Sequence, residues 1–152
     1  MKKKISKPAD IPPEVLRYIL ECWSEHMKPI RPKFVEAGLV GKSFTEKAHD
    51  MPMPGGRLNY TFTKDGTWKF DFKSKKDTGQ TIITYIDFYN GYRALADPNY
   101  DSMKAFQEGI FKIEPSAEDA LKMAPMMPDM VKAFIKAIGD AEKKFNVELP
   151  KY

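Results

Sequence analysis

The chain has 152 residues, 42% hydrophobic and 30% charged, which is long enough for one domain with a real core and ordinary for a soluble globular protein. Its net charge of +4, from 25 basic against 21 acidic residues, is too small a surplus to imply a polyanionic partner. A single cysteine, Cys22, excludes an internal disulfide and fits a reducing compartment.

Lys2, Lys3, Lys4 and Lys7 concentrate positive charge at the start. Residues 1–12 read as a basic flexible tail, and attraction to an anionic membrane surface is the sharper reading of the same lysines. No apolar run follows Lys7, so the segment is not a signal peptide, and no stretch is long enough to span a membrane. The expectation is a cytoplasmic protein.

Residues 13–152 read as a single domain. A first helix starts near Pro13, since proline suits the first helical turn. Leu16, Ile19, Leu20 and Trp23 recur at spacings of three and four and make one apolar stripe, which Met27 extends. Pro29 and Pro32 end it, and a short helix from Lys33 to Ala37 stops at Gly38. Residues 38–56, rich in glycine and proline, read as a loop with one helical turn near Thr45–His49. Met51 and Met53, between Pro52 and Pro54, read as a core-packing strap or a lid.

After Gly56, Leu58, Tyr60 and Phe62 alternate with polar residues, as do Trp68, Phe70 and Phe72. Asp65-Gly66 between them signals a hairpin. The period places five aromatics and a leucine on one face and polar residues on the other. Thr81–Ile86 reads as a third strand. From Asp87, a cap residue, the period changes to helical through Phe88, Tyr92 and Leu95. Asp97-Pro98 breaks that helix.

Ser102–Met130 is the densest stretch. Met103 and Phe106 share a helix face, and Gly109 supplies the stop. Ile110, Phe111 and Ile113 form a short strand that Pro115 ends. Ser116 and Asp119 form a capping-box-like start for a helix carrying Ala120, Leu121 and Met123. Four of the nine methionines then fall between Met123 and Met130, around Pro125 and Pro128. Unbranched thioethers suit either core filling or an adaptable cavity. A last helix, residues 128–144, carries Met130, Phe134, Ala137, Ile138 and Ala141 on its apolar face.

The words KAFQEGIFKIE and AEDALKMAP, preceded by TIITYIDFYNGYRALADPNYDSMKAF, resemble the sterol carrier protein type-two family of small lipid-binding domains. The resemblance runs over about residues 81–125, is weaker from Gly56, and does not cover the N-terminal third or explain the C-terminal helix. It implies an α+β fold: an antiparallel, roughly five-stranded sheet with helices on one face and an apolar tunnel between. It implies binding or transfer of a lipid, long-chain fatty acid or fatty acyl-CoA without catalysis or cofactor. An accessory role beside an acyl-processing enzyme is the alternative. The expected ligand-binding residues, from the resemblance together with the apolar stripes and the methionine cluster, are Leu16, Leu20, Trp23, Trp68, Phe70, Phe106, Phe111, Ile113, Leu121, Met123, Met126, Met127, Met130 and Phe134.

Reactive chemistry is sparse. The chain has no nucleophile elbow, phosphate-cradling loop or paired cysteines. Cys22 and His26, four apart on one helix, with His49 and Asp50 elsewhere, are the only grouping to weigh as a metal site, and it is weak. His49 and Asp50 with a tyrosine are likewise the only acid–base candidates. Aromatics beside lysines, as in Lys69-Phe70, do not make a nucleic-acid platform, because alternation sends them to opposite faces.

Overall fold

The computed structural model describes residues 1–152. It contains β1 (Lys3–Lys4), α1 (Pro13–His26), α2 (Arg31–Glu36), β2 (Ser43–Lys47), β3 (Arg57–Phe62), β4 (Trp68–Asp71) and β5 (Thr81–Tyr85). There follow α3 (Phe88–Ala96), α4 (Ser102–Gln107), β6 (Phe111–Glu114), α5 (Glu118–Leu121), α6 (Met127–Phe145) and β7 (Val147–Glu148). The α+β class holds. The main sheet has five strands in the order β4-β3-β2-β5-β6. It is mixed rather than purely antiparallel, because β2 and β5 run parallel while the other three pairings are antiparallel. A parallel pair needs a long crossover. Here the β3–β4 hairpin intervenes between β2 and β5 and adds on the far side of β2.

The central strand is the main departure from the sequence reading. Ser43–Lys47, expected as loop with a helical turn, is β2, registered against both β3 and β5. The segment's glycines and prolines lie at its two ends, where Gly41 precedes the strand and Pro52 and Pro54 follow it. The first twelve residues also differ from a solvated tail. Lys3–Lys4 pairs in parallel with Val147–Glu148, and Ile5 and Ile11 enter the core. Two isoleucines among the lysines and prolines anchor the segment by burial.

α1 lays its stripe of Leu16, Ile19, Leu20 and Trp23 inward and packs along α6, which buries Met130, Phe134, Ala137, Ile138 and Ala141 in return. α3 packs against α6. Its N-terminus is capped by Asp87, which accepts from the Asn90 amide at 2.9 Å. A second acceptor is Asp50, whose carboxylate takes the Phe88 amide at 2.7 Å. The final turn of α4 closes at Gly109, where φ is +74° and a side chain would be strained.

The sheet's outer face is not simply wet. Asn59 on β3 and Thr45 on β2 are buried there. The Asn59 carboxamide oxygen accepts from the Thr45 hydroxyl and the Thr78 amide, its amide group donates to the Lys76 carbonyl at 2.9 Å, and the Thr45 hydroxyl accepts from the Gly79 amide at 2.8 Å. Residues 76–79 therefore cross this face as a strap. Gly79 is required, since a Cβ there would meet the Phe44 and Thr45 backbone at 2.3 Å. Lys47 and Arg57 both pair with Asp77 and fasten the strap at its rim.

Candidate functional site

The inner face of the sheet carries Phe44, Tyr60, Phe62 and Trp68, all buried, in successive edge-on and stacked contacts. Over β4, β3 and part of β2, α1, α2 and α6 fill the space above these rings. Trp23 lies 4.4 Å from Trp68 and 5.3 Å from Phe134, centroid to centroid, and its indole donates to the Met130 carbonyl at 2.9 Å. Over β5 and β6 the cover is thinner. It consists of α3, the short α4 and α5, and the turn at residues 124–126 leading into α6.

Under this thin cover lies a cavity of about 160 Å³, and seventeen of its nineteen lining residues are hydrophobic, so its chemistry is apolar. Its floor is Tyr60, Ile83, Tyr85, Phe111 and Ile113 from the sheet, and its walls come from α3, α4, α5 and the start of α6. Met103, Phe106 and Leu121, on α4 and α5, line the cavity and are also exposed to solvent, so they mark its mouth. A second cavity, about 40 Å³, lies toward α1 and is lined by Leu16, Leu20, Met51, Leu58, Phe88 and Phe134 among others. Trp23, Glu46, Tyr85 and Leu95 border both.

The larger cavity brings together Trp23, Phe106, Phe111, Ile113, Leu121, Met123, Met127 and Met130 from the expected set, and the smaller one Leu16, Leu20 and Phe134. Three residues of that set lie outside both. Met126 is core filling, Trp68 is packed beneath Trp23, and Phe70 stacks on Phe72 at the sheet edge. Phe70 sits on an edge strand, where the helices end, and its ring is only half-buried; Phe111 is half-buried because it faces the cavity. The apolar space of the structure consists of a larger cavity with a mouth and a smaller one beside it.

Two polar groups enter this apolar space. Ser102 lies at the α4 end. Glu46, from the middle of β2, lies at the junction of the two cavities, and the Tyr60 hydroxyl donates to its Oε2 at 2.6 Å. Burial raises the Glu46 carboxyl above its ordinary range, and the Tyr60 hydrogen bond opposes that in part. Burial and the neighbouring carboxyl push the Tyr60 and Tyr85 phenols far up, so both stay neutral. Sequence reasoning missed Glu46. The signal was the alternation Phe44, Glu46, Ala48, hidden in a segment read as loop.

The grouping weighed for a metal does not assemble. His26 Nε2 lies 2.6 Å from Asp140, His49 is exposed beside Asp50, and no cluster of three or more His, Cys, Asp or Glu is positioned to hold an ion. Asp50 serves as an acceptor for the α3 terminus, which explains its place beside β2. No helix is long and apolar enough to cross a membrane.

A mixed five-stranded sheet with helices over one face and an apolar cavity between them is the fold of the sterol carrier protein 2 domain. The similarity to solved members of that fold spans most of the chain. Domain 2 of the sterol carrier protein of Helicoverpa armigera superposes with a TM-score of 0.55 at 17% identity, covering 84% of this chain and 96% of that one. A conserved hypothetical protein from Thermus thermophilus gives 0.55 at 11% identity, over 90% and 95% of the two chains. A crystal structure of sterol carrier protein 2 gives 0.51 at 12% identity, over 75% and 94%. No family model and no curated protein sequence matches the chain.

Proposed function

We propose that this chain binds a lipid-like ligand without catalysis, seating its apolar part in the cavity between β5–β6 and the α3–α5 cover. The observation that supports this most is the 160 Å³ apolar cavity with an exposed apolar mouth at Met103, Phe106 and Leu121, in a fold that elsewhere bears the name of sterol carriers. Fatty acids, their thioesters and sterols are the ligand classes to compare.

The energetics set a minimum size. Burying a methylene yields about 0.8 kcal/mol, so ten give roughly 8 kcal/mol gross against at least about 4 lost on association. That balance is near-millimolar binding, and useful affinity needs a chain of roughly fourteen to eighteen carbons or a polar contact. An apolar void of about 150 Å³ takes one benzene. A longer ligand therefore extends through the mouth or displaces its cover. α4 and α5 suit that displacement: α4 packs mainly on β6, and α5 packs only lightly on its neighbours.

Native mass spectrometry of protein purified from cells, followed by lipid extraction, tests the proposal. The expected result is a co-purified lipid, and an uncharged fluorescent probe such as N-phenylnaphthylamine should bind saturably. Empty protein that also fails to bind the probe at high micromolar concentration would refute it.

A further inference from the structure

β2 is the middle strand of the sheet; Phe44 and Glu46 form its inward face, and Ala48 follows just beyond its end. Glu46 is registered opposite Leu58 on one side and Ile83 on the other, both of which face the helices. A carboxyl group in that position costs free energy unless it is well paired. Its pairing here is partial. Oε2 takes the Tyr60 hydroxyl at 2.6 Å, Oε1 has no partner within the protein, and no basic side chain contributes to its surroundings. Tyr85 borders the same two cavities, and its phenol makes no hydrogen bond to the protein. Glu46 is thus a fixed polar atom set at the inner end of an apolar space, with one oxygen still to be paired.

We propose that Glu46, held by Tyr60 and flanked by Tyr85, anchors the headgroup of the bound ligand and selects an uncharged apolar molecule carrying a hydroxyl or carbonyl oxygen, inserted head first. This deepens the lipid-binding reading and rests on it. The free Oε1 accepts from a ligand hydroxyl when the carboxyl is ionised and can donate to either kind of oxygen when it is neutral, so a hydroxyl head pairs in both states. A carboxylate or phosphate headgroup meets a second acidic group at close range with no cation to balance the pair. An ammonium headgroup requires an ionised Glu46 and the desolvation of two charges at once. The uncharged head is the one that satisfies Glu46 without either cost.

The test is displacement of N-phenylnaphthylamine by decanol, decanoate and decylamine, which share one chain length and differ in headgroup charge. It is run at neutral pH on wild type, Glu46→Gln and Glu46→Leu. Wild type should prefer decanol to decanoate by about tenfold. Glu46→Gln should keep the decanol affinity, since a carboxamide also donates and accepts, and should lose part of the preference over decanoate because the acidic group is gone. Glu46→Leu should lose about tenfold in decanol affinity measured relative to its own affinity for the probe. Decylamine or decanoate binding tightest to wild type overturns the proposal, as does equal decanol affinity in wild type and Glu46→Leu, or a decanol loss in Glu46→Gln as large as in Glu46→Leu. Failure of wild type to bind the probe overturns the cavity reading itself. Probe binding with displacement that ignores the headgroup overturns the anchor alone.

Discussion

Ala94→Leu gives opposite signs for a packed core and for a cavity. Ala94 is buried on α3 and lines the larger cavity. In a close-packed interior the extra carbons force neighbours aside and cost about 1–3 kcal/mol. In a 160 Å³ void they fill empty space instead. The added atoms amount to about three methylene equivalents, or roughly 2.4 kcal/mol of transfer free energy. Ordering a leucine side chain removes about 0.5–1 kcal/mol, and helix propensity changes little. The net expectation is a gain of about 1.5 kcal/mol, read as a higher urea midpoint at unchanged slope. The same substitution removes ligand space, so probe affinity should fall in parallel. A lower midpoint with undiminished probe binding would show that Ala94 faces packed protein and that the ligand space lies elsewhere.

Three further outcomes follow from particular contacts. Burial raises the Glu46 carboxyl, so the folded state holds its proton more tightly than the unfolded chain; stability is highest below the unfolded value and falls as pH rises through it toward the folded one. Glu46→Gln should therefore flatten the decline in denaturant midpoint between acid and neutral pH, and an unchanged pH profile would contradict the inward, desolvated placement of this half-buried carboxyl. Asn59→Ala strips partners from the Thr45 hydroxyl and from two backbone groups of the strap, so it should cost about 1–3 kcal/mol or more and expose residues 76–79 to proteolysis, which limited digestion would detect. Met126→Leu should cost under about 1.5 kcal/mol and leave the range of bound chain lengths unaltered, whereas Met127→Leu with Met130→Leu should narrow it in a chain-length series, because only the second pair lines the cavity.

The parts legible in the sequence are those whose periodicity is local. α1 and α6 follow their apolar stripes, the β3–β4 hairpin follows its aromatic alternation, and β6 follows its aliphatic residues. Gly109 closes α4 as its position implies. β2 was not legible, because its inward face includes a glutamate, so the strand lacks a hydrophobic alternation. Its parallel pairing with β5 is a tertiary choice that no local pattern encodes. Asn59 reads as solvent-facing and Thr45 as part of a loop, and both are buried because a strap distant in sequence covers them. The cavity was legible as a set of apolar residues on converging elements. Its boundary was not: Phe70 and Trp68 share the face but sit under α1 or at the edge, while Glu46 and Tyr85 stand at its centre. The Ser116–Asp119 start is also rearranged, since Ser116 accepts from the Glu118 amide while Asp119 pairs with Lys122 and Lys42.

An apolar ligand in the space between β5–β6 and the helices above it would be seen in solution by NMR. Backbone and methyl NMR shifts, recorded as decanol is added to isotope-labelled protein, test this most directly. The expected large, saturating shifts are those of Glu46, Ile83, Tyr85, Leu121, Met127 and Met130, with transferred contacts from the hydroxyl end of the ligand to Glu46 and from its tail to Phe106 and Leu121. Shifts confined to the outer face around Asn59 and residues 76–79, or scattered without saturation, would contradict it.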